Sequence, residues 1–390
     1  MSLINLNSWN GFLPFSTTFI IFFIALFYIV KAYSYKNCFN WTIKLWAVMS
    51  VLEVVRGAFV VEPSYFSIKS FITSSLILML PLSCSLFKEP QNFLVPAKKW
   101  FRIGFPLFVL LAPITLHITY YHYLCLLYIP IFFYKKLPLV YKVILVIVIL
   151  FFMFDIETRS NTVRMIAFAG IGWACCSNLI SKGIARYGSV VFLVMPLVFF
   201  VLGFTGTFNV FEMDKYLDKN KVDASLMIDT RTFLYYEVLT ELNENNALLY
   251  GLSSAGGYNS VFSESLAEQI GSVKDVKRTN AECGIVGLAL WSGLVGVICY
   301  CLLVFHSVFL AINNSNNKYL RGFALLLAFN WTYTWVENMF TLHIYNLLLY
   351  ALIGMCMSPA FLKMTDVEIE GYFKSIICQT KYLFSKSHKN

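Results

Sequence analysis

NVFEMDKYLDKNKVDASLMIDTRTFLYYEVLTELNENNALLYGLSSAGGYNSVFSESLAEQIGSVKDVKRTNAE, residues Asn209 to Glu282, is the one long polar stretch in this chain. It holds twelve of the 21 acidic residues and seven of the 30 Lys and Arg. What surrounds it is hydrophobic. The chain is 58% hydrophobic and only 13% charged, whereas soluble domains carry about 25% charged residues. Several runs of roughly 18 or more apolar residues can each cross a bilayer. The expected fold is therefore an all-α polytopic membrane protein with about eleven or twelve transmembrane helices. The quoted stretch is its one large outer loop, containing amphipathic helices. The chain then divides into an N-terminal transmembrane bundle (1–208), the loop (209–282), C-terminal transmembrane helices (283–362) and a tail (363–390).

Working back from the loop, spans are predicted at 188–208, at 165–180 and in a run ending Val143 to Phe154. The apolar stretch Ile103 to Tyr134 is broken by Pro106, Pro113 and Pro130. It reads as two short spans meeting at His117 to His122, which are expected to be interfacial polar groups. Lys88 to Arg102 reads as a basic loop. Phe66 to Phe87 and Leu45 to Val61 read as spans, and Phe12 to Val30 as a first span, since no small-residue cleavage site follows it. Glu53 and Arg56 lie three apart on one helical face. They read either as an internal ion pair or with Arg56 facing an external cavity. After the loop, spans are predicted near Cys283, at 322–340 and at 342–361, followed by a basic tail.

Charge sets the orientation. The basic segments 31–44, 88–102, 135–142, 182–186 and 318–321 and the tail carry nineteen Lys and Arg; the short segments of the opposite side carry four. Positive charge gathers in the cytoplasm, so the tail is expected inside and the loop outside. The net charge of +9 is thus a topology signal, not a nucleic-acid footprint. None of the ten cysteines lies in the loop, so no disulfide framework is implied there.

The chemistry-bearing residues gather on the outer side: Arg159, Arg164, Arg231 and Arg278 at span ends, with Arg56 below. Arginine presents a planar fork that binds phosphate through two bonds. The alternative for each is contact with lipid headgroups or the loop's own acids. Thr230 to Tyr250 has helical periodicity and ends at Gly251. The turn GLSSAGG, Gly251 to Gly257, lacks the Lys-Ser/Thr of a nucleotide P-loop. No metal-ligand cluster or soluble hydrolase motif is present, and no metal or cofactor is expected. A lipid diphosphate leaving group needs charge stabilisation more than protonation, and one carboxylate would serve as base for an acceptor hydroxyl.

The order SNTVR (Ser160 to Arg164), R-x-F-L-Y-Y (Arg231 to Tyr236), ENNALLYGLSSAGG (Glu244 to Gly257) and KRTNAECGIVGLALWSGLVG (Lys277 to Gly296) resembles Wzy-type O-antigen polymerases and, more distantly, O-antigen ligases. The resemblance implies an inverting glycosyltransferase of the bacterial inner membrane, active at the periplasmic face. It would move a growing glycan from undecaprenyl diphosphate to the non-reducing end of a lipid-linked repeat unit. Its partners would be undecaprenyl-diphosphate-linked oligosaccharide and polysaccharide, membrane lipids and a chain-length regulator protein. Arg231 and Arg278 would hold the diphosphate or the reacting region, and Arg159 or Arg164 the second lipid-linked substrate. Glu282 would be the base, with Glu337 next. Arg56, Tyr235, Gly251, Gly256, Gly257 and Asn280 complete the expected substrate-binding set. Ligases carry His-Asn where Arg278-Thr279-Asn280 stands here, which favours polymerase over ligase. A lipid-linked oligosaccharide flippase or other transporter is the rival of a different class.

Overall fold

The structure is a computed structural model and describes residues 27–31, 40–104, 129–153, 159–204, 230–260, 278–338, 340–342 and 344–377. It is mostly helical, with no β-strand among the described residues. The first named helices are α1 (Trp41–Val60), α2 (Tyr65–Met79) and α3 (Pro90–Lys99). Next come α4 (Leu139–Met153), α5 (Arg159–Cys176), α6 (Lys182–Phe204) and α7 (Thr230–Glu244). The chain closes with α8 (Gly284–Asn314), α9 (Lys318–Thr334), α10 (Ile344–Cys356) and α11 (Asp366–Ile377). Three described stretches are long and apolar enough to cross a membrane: Ser67–Lys88, Lys182–Leu202 and Gly284–Asn314.

Local chemistry explains the boundaries. Ser64 caps α2 by accepting from the Ser67 N–H, and Asn317 caps α9 by accepting from Leu320. Pro81 has no N–H to continue α2, so Leu80–Lys88 tightens into a 3-10 segment. The Leu78 carbonyl near that change of pitch accepts from Trp46 Nε1 at 2.8 Å. This fully buried segment packs on α10, while α9 packs between α6 and α8, and α8 lies against α1.

Three differences from the sequence reading stand out. Lys88 to Arg102, expected as a loop, is largely α3 and a following π turn, Trp100–Gly104. Its apolar positions, Phe93, Leu94 and Ala97, are buried in the core. The segment read only as a basic tail contains α11, which buries Ile369, Tyr372, Phe373 and Ile376. The predicted span at 322–340 is shorter, because α9 ends at Thr334. The expected first span, the hairpin with its two histidines and much of the 209–282 loop fall largely outside the described residues.

The helices run between two ends. At the tail end, Asn40, Lys88, Asn178, Lys182, Asn313, Lys318 and α11 meet. At the loop end, the C-terminus of α1 and the N-terminus of α8 meet α7 and the Gly-rich turn.

Candidate functional site

The loop end is organised by a crossing of two backbones. α8 is broken at Gly293, whose φ of 60° lies in the left-handed region. Gly251 lies against the break, also with positive φ, 66°. A Cβ on Gly251 would sit 2.5 Å from the Ser292 nitrogen and 2.6 Å from that of Gly293, so only glycine fits. The loop supplies what the break leaves open. Leu252 N–H donates to the Leu290 carbonyl at 2.7 Å, and Leu294 and Val295 N–H donate to the Leu248 and Leu249 carbonyls at 2.9 and 3.1 Å.

Arg56 locks this crossing from α1. Its Nη1 donates to both Glu53 carboxylate oxygens, at 2.9 and 2.7 Å, and to the Tyr250 carbonyl at 2.7 Å. Its Nη2 donates to the Gly251 carbonyl at 3.0 Å. The ion pair expected between these two residues is present, and its arginine, whose side chain is 43% exposed, is also a clamp on the loop.

The rest of the turn descends between α1 and α2. Ser254 is fully buried; its hydroxyl donates to the Glu53 carbonyl at 3.1 Å and accepts from Ser75 at 3.1 Å. Gly251 and Gly256 N–H groups donate to the Ala247 and Ser253 carbonyls, at 2.7 and 2.9 Å, and Gly257 is buried. Of the glycines expected to approach a phosphate, Gly251 and Gly257 are buried and Gly256 is half-buried.

The turn leads to the charged cluster. Tyr258 and Arg278 form an isolated antiparallel bridge, each N–H donating to the other's carbonyl at 2.9 Å. Residues paired directly across such a bridge have adjacent side chains. Arg278 Nε donates to the Asn280 carbonyl at 3.1 Å, and Nη2 to Glu282 Oε1 at 2.9 Å. The Arg278 side chain is 24% exposed and that of Glu282 53%. Asn338 Nδ2 donates to Asn280 Oδ1 at 3.1 Å, and the Glu337 carbonyl accepts from Gly284 N–H at 3.0 Å. Thr279 is held by Ser70, at 2.5 Å, and by Trp291 Nε1, at 2.9 Å.

Two members of this cluster were not foreseen. Tyr258 is fully buried, and its hydroxyl makes no hydrogen bond among the described residues. Burial pushes its phenol up to about 12; the Arg278 guanidinium pulls the other way, and Glu237 and Glu282 add to the rise. The phenol therefore stays protonated, as a donor, at neutral pH. Glu237, buried on the inner face of α7, shares this neighbourhood. Its signal was available: 237 falls on the stripe Leu234, Val238 and Leu242 at helical spacing. Nothing near Tyr258 in the chain marks it out.

Tyr235 donates to the Trp335 carbonyl at 2.8 Å. Arg164 is buried on α5 with its guanidinium 4.6 Å from the centre of the Tyr333 ring. Arg159 and Arg231 lie in the first turns of α5 and α7, but their side chains are outside the described set. Glu337 lies in the turn after α9, not inside the helix. Among the described residues, no three His, Cys, Asp or Glu side chains come together in a metal-binding group.

What the fold and cluster define is a mostly helical protein with membrane-length apolar helices and a charged, irregular end. Comparisons with protein-family models, with curated proteins and with solved structures each return no match.

Proposed function

We propose that this chain is a membrane-embedded glycosyltransferase, a polymerase of O-antigen or a related surface polysaccharide, in the bacterial inner membrane with its loop end in the periplasm. The observation that carries the reading is the Arg278–Glu282 pair. The bridge fixes the Arg278 backbone and the Asn280 carbonyl holds its guanidinium, while the Glu282 side chain is more than half exposed. An incoming diphosphate competes with Glu282 for the guanidinium, and its two-pronged contact wins over a single one. Glu282 is then freed to act as base. The acceptor hydroxyl oxygen attacks the anomeric carbon of the donor sugar and gives its proton to Glu282. The bond from that carbon to the diphosphate oxygen breaks, and the diphosphate leaves as an anion held by Arg278. Undecaprenyl-diphosphate-linked glycans are the substrates in this reading. The membrane placement is supported by the three long apolar helices and by the basic residues Lys88, Lys136, Lys182, Arg186 and Lys318 at the tail end.

A transporter reading draws on the broken helix α8, since transporters bind cargo at such breaks. Here the groups freed by the break are taken by the protein's own loop, which favours the enzyme. The test is the lipopolysaccharide ladder of a deletion strain with and without this chain. Restoration of long polymer supports polymerase. Accumulated free polymer in the deletion strain identifies a ligase, and cytoplasmic build-up of single repeats identifies a transporter.

A further inference from the structure

Tyr258 is fully buried, yet its hydroxyl makes no hydrogen bond among the described residues. Leaving a buried donor unpaired costs stability, so proteins keep few of them. The surroundings of this one suggest its use. Tyr258 and Arg278 exchange both N–H···O bonds of an antiparallel bridge, each at 2.9 Å. In such a pair the Cα atoms are about 5.5 Å apart and the two side chains leave the same face. The phenol therefore stands beside the guanidinium that donates to Glu282 at 2.9 Å. The ionisable groups that act on it are those of Arg278, Glu237, Glu282 and Cys283.

Of the two carboxylates in this neighbourhood, Glu237 is buried, while the Glu282 side chain is 53% exposed. The chain on either side of Glu282 is held. Arg278 is fixed by the bridge, Cys283 Sγ donates to the Val336 carbonyl at 3.5 Å, and Gly284 N–H donates to the Glu337 carbonyl at 3.0 Å. A change of partner for Glu282 is therefore a turn of its side chain, with the backbone in place. A diphosphate that takes the Arg278 guanidinium leaves this carboxylate in need of a donor, and the phenol next to it is a donor in need of an acceptor.

We infer that Tyr258 is the positioning residue for the base: when the diphosphate takes Arg278, Glu282 passes from the guanidinium to the phenol. The phenol O–H then holds one carboxylate oxygen and leaves the other to the acceptor hydroxyl. The phenol keeps its own proton throughout, and Glu282 takes only that of the acceptor. This rests on the reading of Arg278 as the anion site and Glu282 as the base. It gives the unpaired hydroxyl a reason, since a donor kept out of water has no solvent to shed when its acceptor arrives. The test is the initial rate of polymerisation by the purified full-length protein in lipid nanodiscs, with undecaprenyl-diphosphate-linked repeat units, from about pH 5 to about pH 9. Tyr258→Phe is expected to lower kcat about tenfold or more and to leave KM within about twofold. The acid limb of its rate profile should move to higher pH, because a hydrogen-bond donor favours the charged form of a carboxylate. Its thermal midpoint at neutral pH should not fall. An unchanged rate and acid limb, with product lost in Arg278→Ala and Glu282→Gln, overturn the inference and leave the enzyme reading standing. A rate loss with an unmoved acid limb also overturns it, as does a fallen midpoint, which would make the hydroxyl a structural partner. No polymer from the wild type overturns both.

Discussion

The two ends of the bundle use the same kinds of polar residue to opposite effect. At the tail end, Asn317 alone ties three places: Nδ2 donates to the Phe361 and Met364 carbonyls and Oδ1 caps Leu320. Lys318 N–H donates to Asp366, and Tyr319 donates to Glu370 at 2.6 Å, which also pairs with Lys136. Those bonds hold α11 on the core. At the loop end the backbone is irregular, the Arg278–Glu282 pair is partly in solvent, and a buried phenol makes no hydrogen bond among the described residues. At the tail end these polar groups tie the protein to itself, while the loop end leaves one ion pair partly in solvent and one phenol without a hydrogen bond among the described residues.

Substitutions can break or sharpen this contrast. The largest effect is expected from Gly251→Val, which puts a branched side chain into a backbone crossing at positive φ. Strain and overpacking together cost on the order of 3 kcal/mol or more. The thermal midpoint of the purified protein in detergent should fall by many degrees, or little folded protein should reach the membrane. An unchanged midpoint would mean that the crossing does not hold the loop end.

Next in size is Arg278. If it binds diphosphate, Arg278→Ala should slow polymerisation a hundredfold or more, equivalent to about 2.7–4 kcal/mol. Arg278→Lys should recover little of it, because a point charge lacks the fork. The midpoint should barely move, since an exposed ion pair contributes about 0–1 kcal/mol. A full ladder from Arg278→Ala at matched expression removes this pair from the active centre.

Asn317→Ala should do the converse. Two buried carbonyls and one cap lose their partner, costing roughly 2–3 kcal/mol in stability. The polymerisation rate per folded molecule should stay as it was. A rate loss as large as that of Arg278→Ala would erase the distinction between the ends.

The smallest effect is that of Tyr258→Phe on stability at neutral pH, because the hydroxyl it removes makes no hydrogen bond among the described residues. Its mark is alkaline. The folded phenol is raised to about 12, above its ordinary value of about 10. The wild type therefore holds this stabilisation below about pH 10 and loses it as pH rises towards about 12. The Phe variant has no such loss, so its midpoint should overtake that of the wild type at pH 11. Superimposed alkaline profiles would show that Tyr258 is not held in this environment.

Much of the helical pattern was legible because apolar runs and caps are local. Lys182–Phe204 and Gly284–Asn314 follow from hydrophobicity alone. Lys88 to Arg102 was misread because its lysines mask three apolar positions at helical spacing, Phe93, Leu94 and Ala97. The break at Gly293 leaves no trace in GLALWSGLVG, since glycine is ordinary in membrane helices. The site was legible in part: Arg278, Asn280 and Glu282 lie within one turn's length of chain. Contacts such as Arg56 with the Tyr250 carbonyl join residues 194 apart, and a carbonyl acceptor has no residue-type signature. Tyr258 and Arg278 meet through backbone alone, so no spacing rule points to that meeting.

The crossing of Gly251 and Gly293 also bears on how the chain is made. Residues 248–252 leave the ribosome before α8 does, yet among the described residues it is they that mend its broken rung. In the proposed topology, this span enters the bilayer with open backbone groups and is finished by a piece of chain already delivered to the far side. In that topology the last event of assembly at this end is a backward step, the docking of an exported loop into a helix inserted after it.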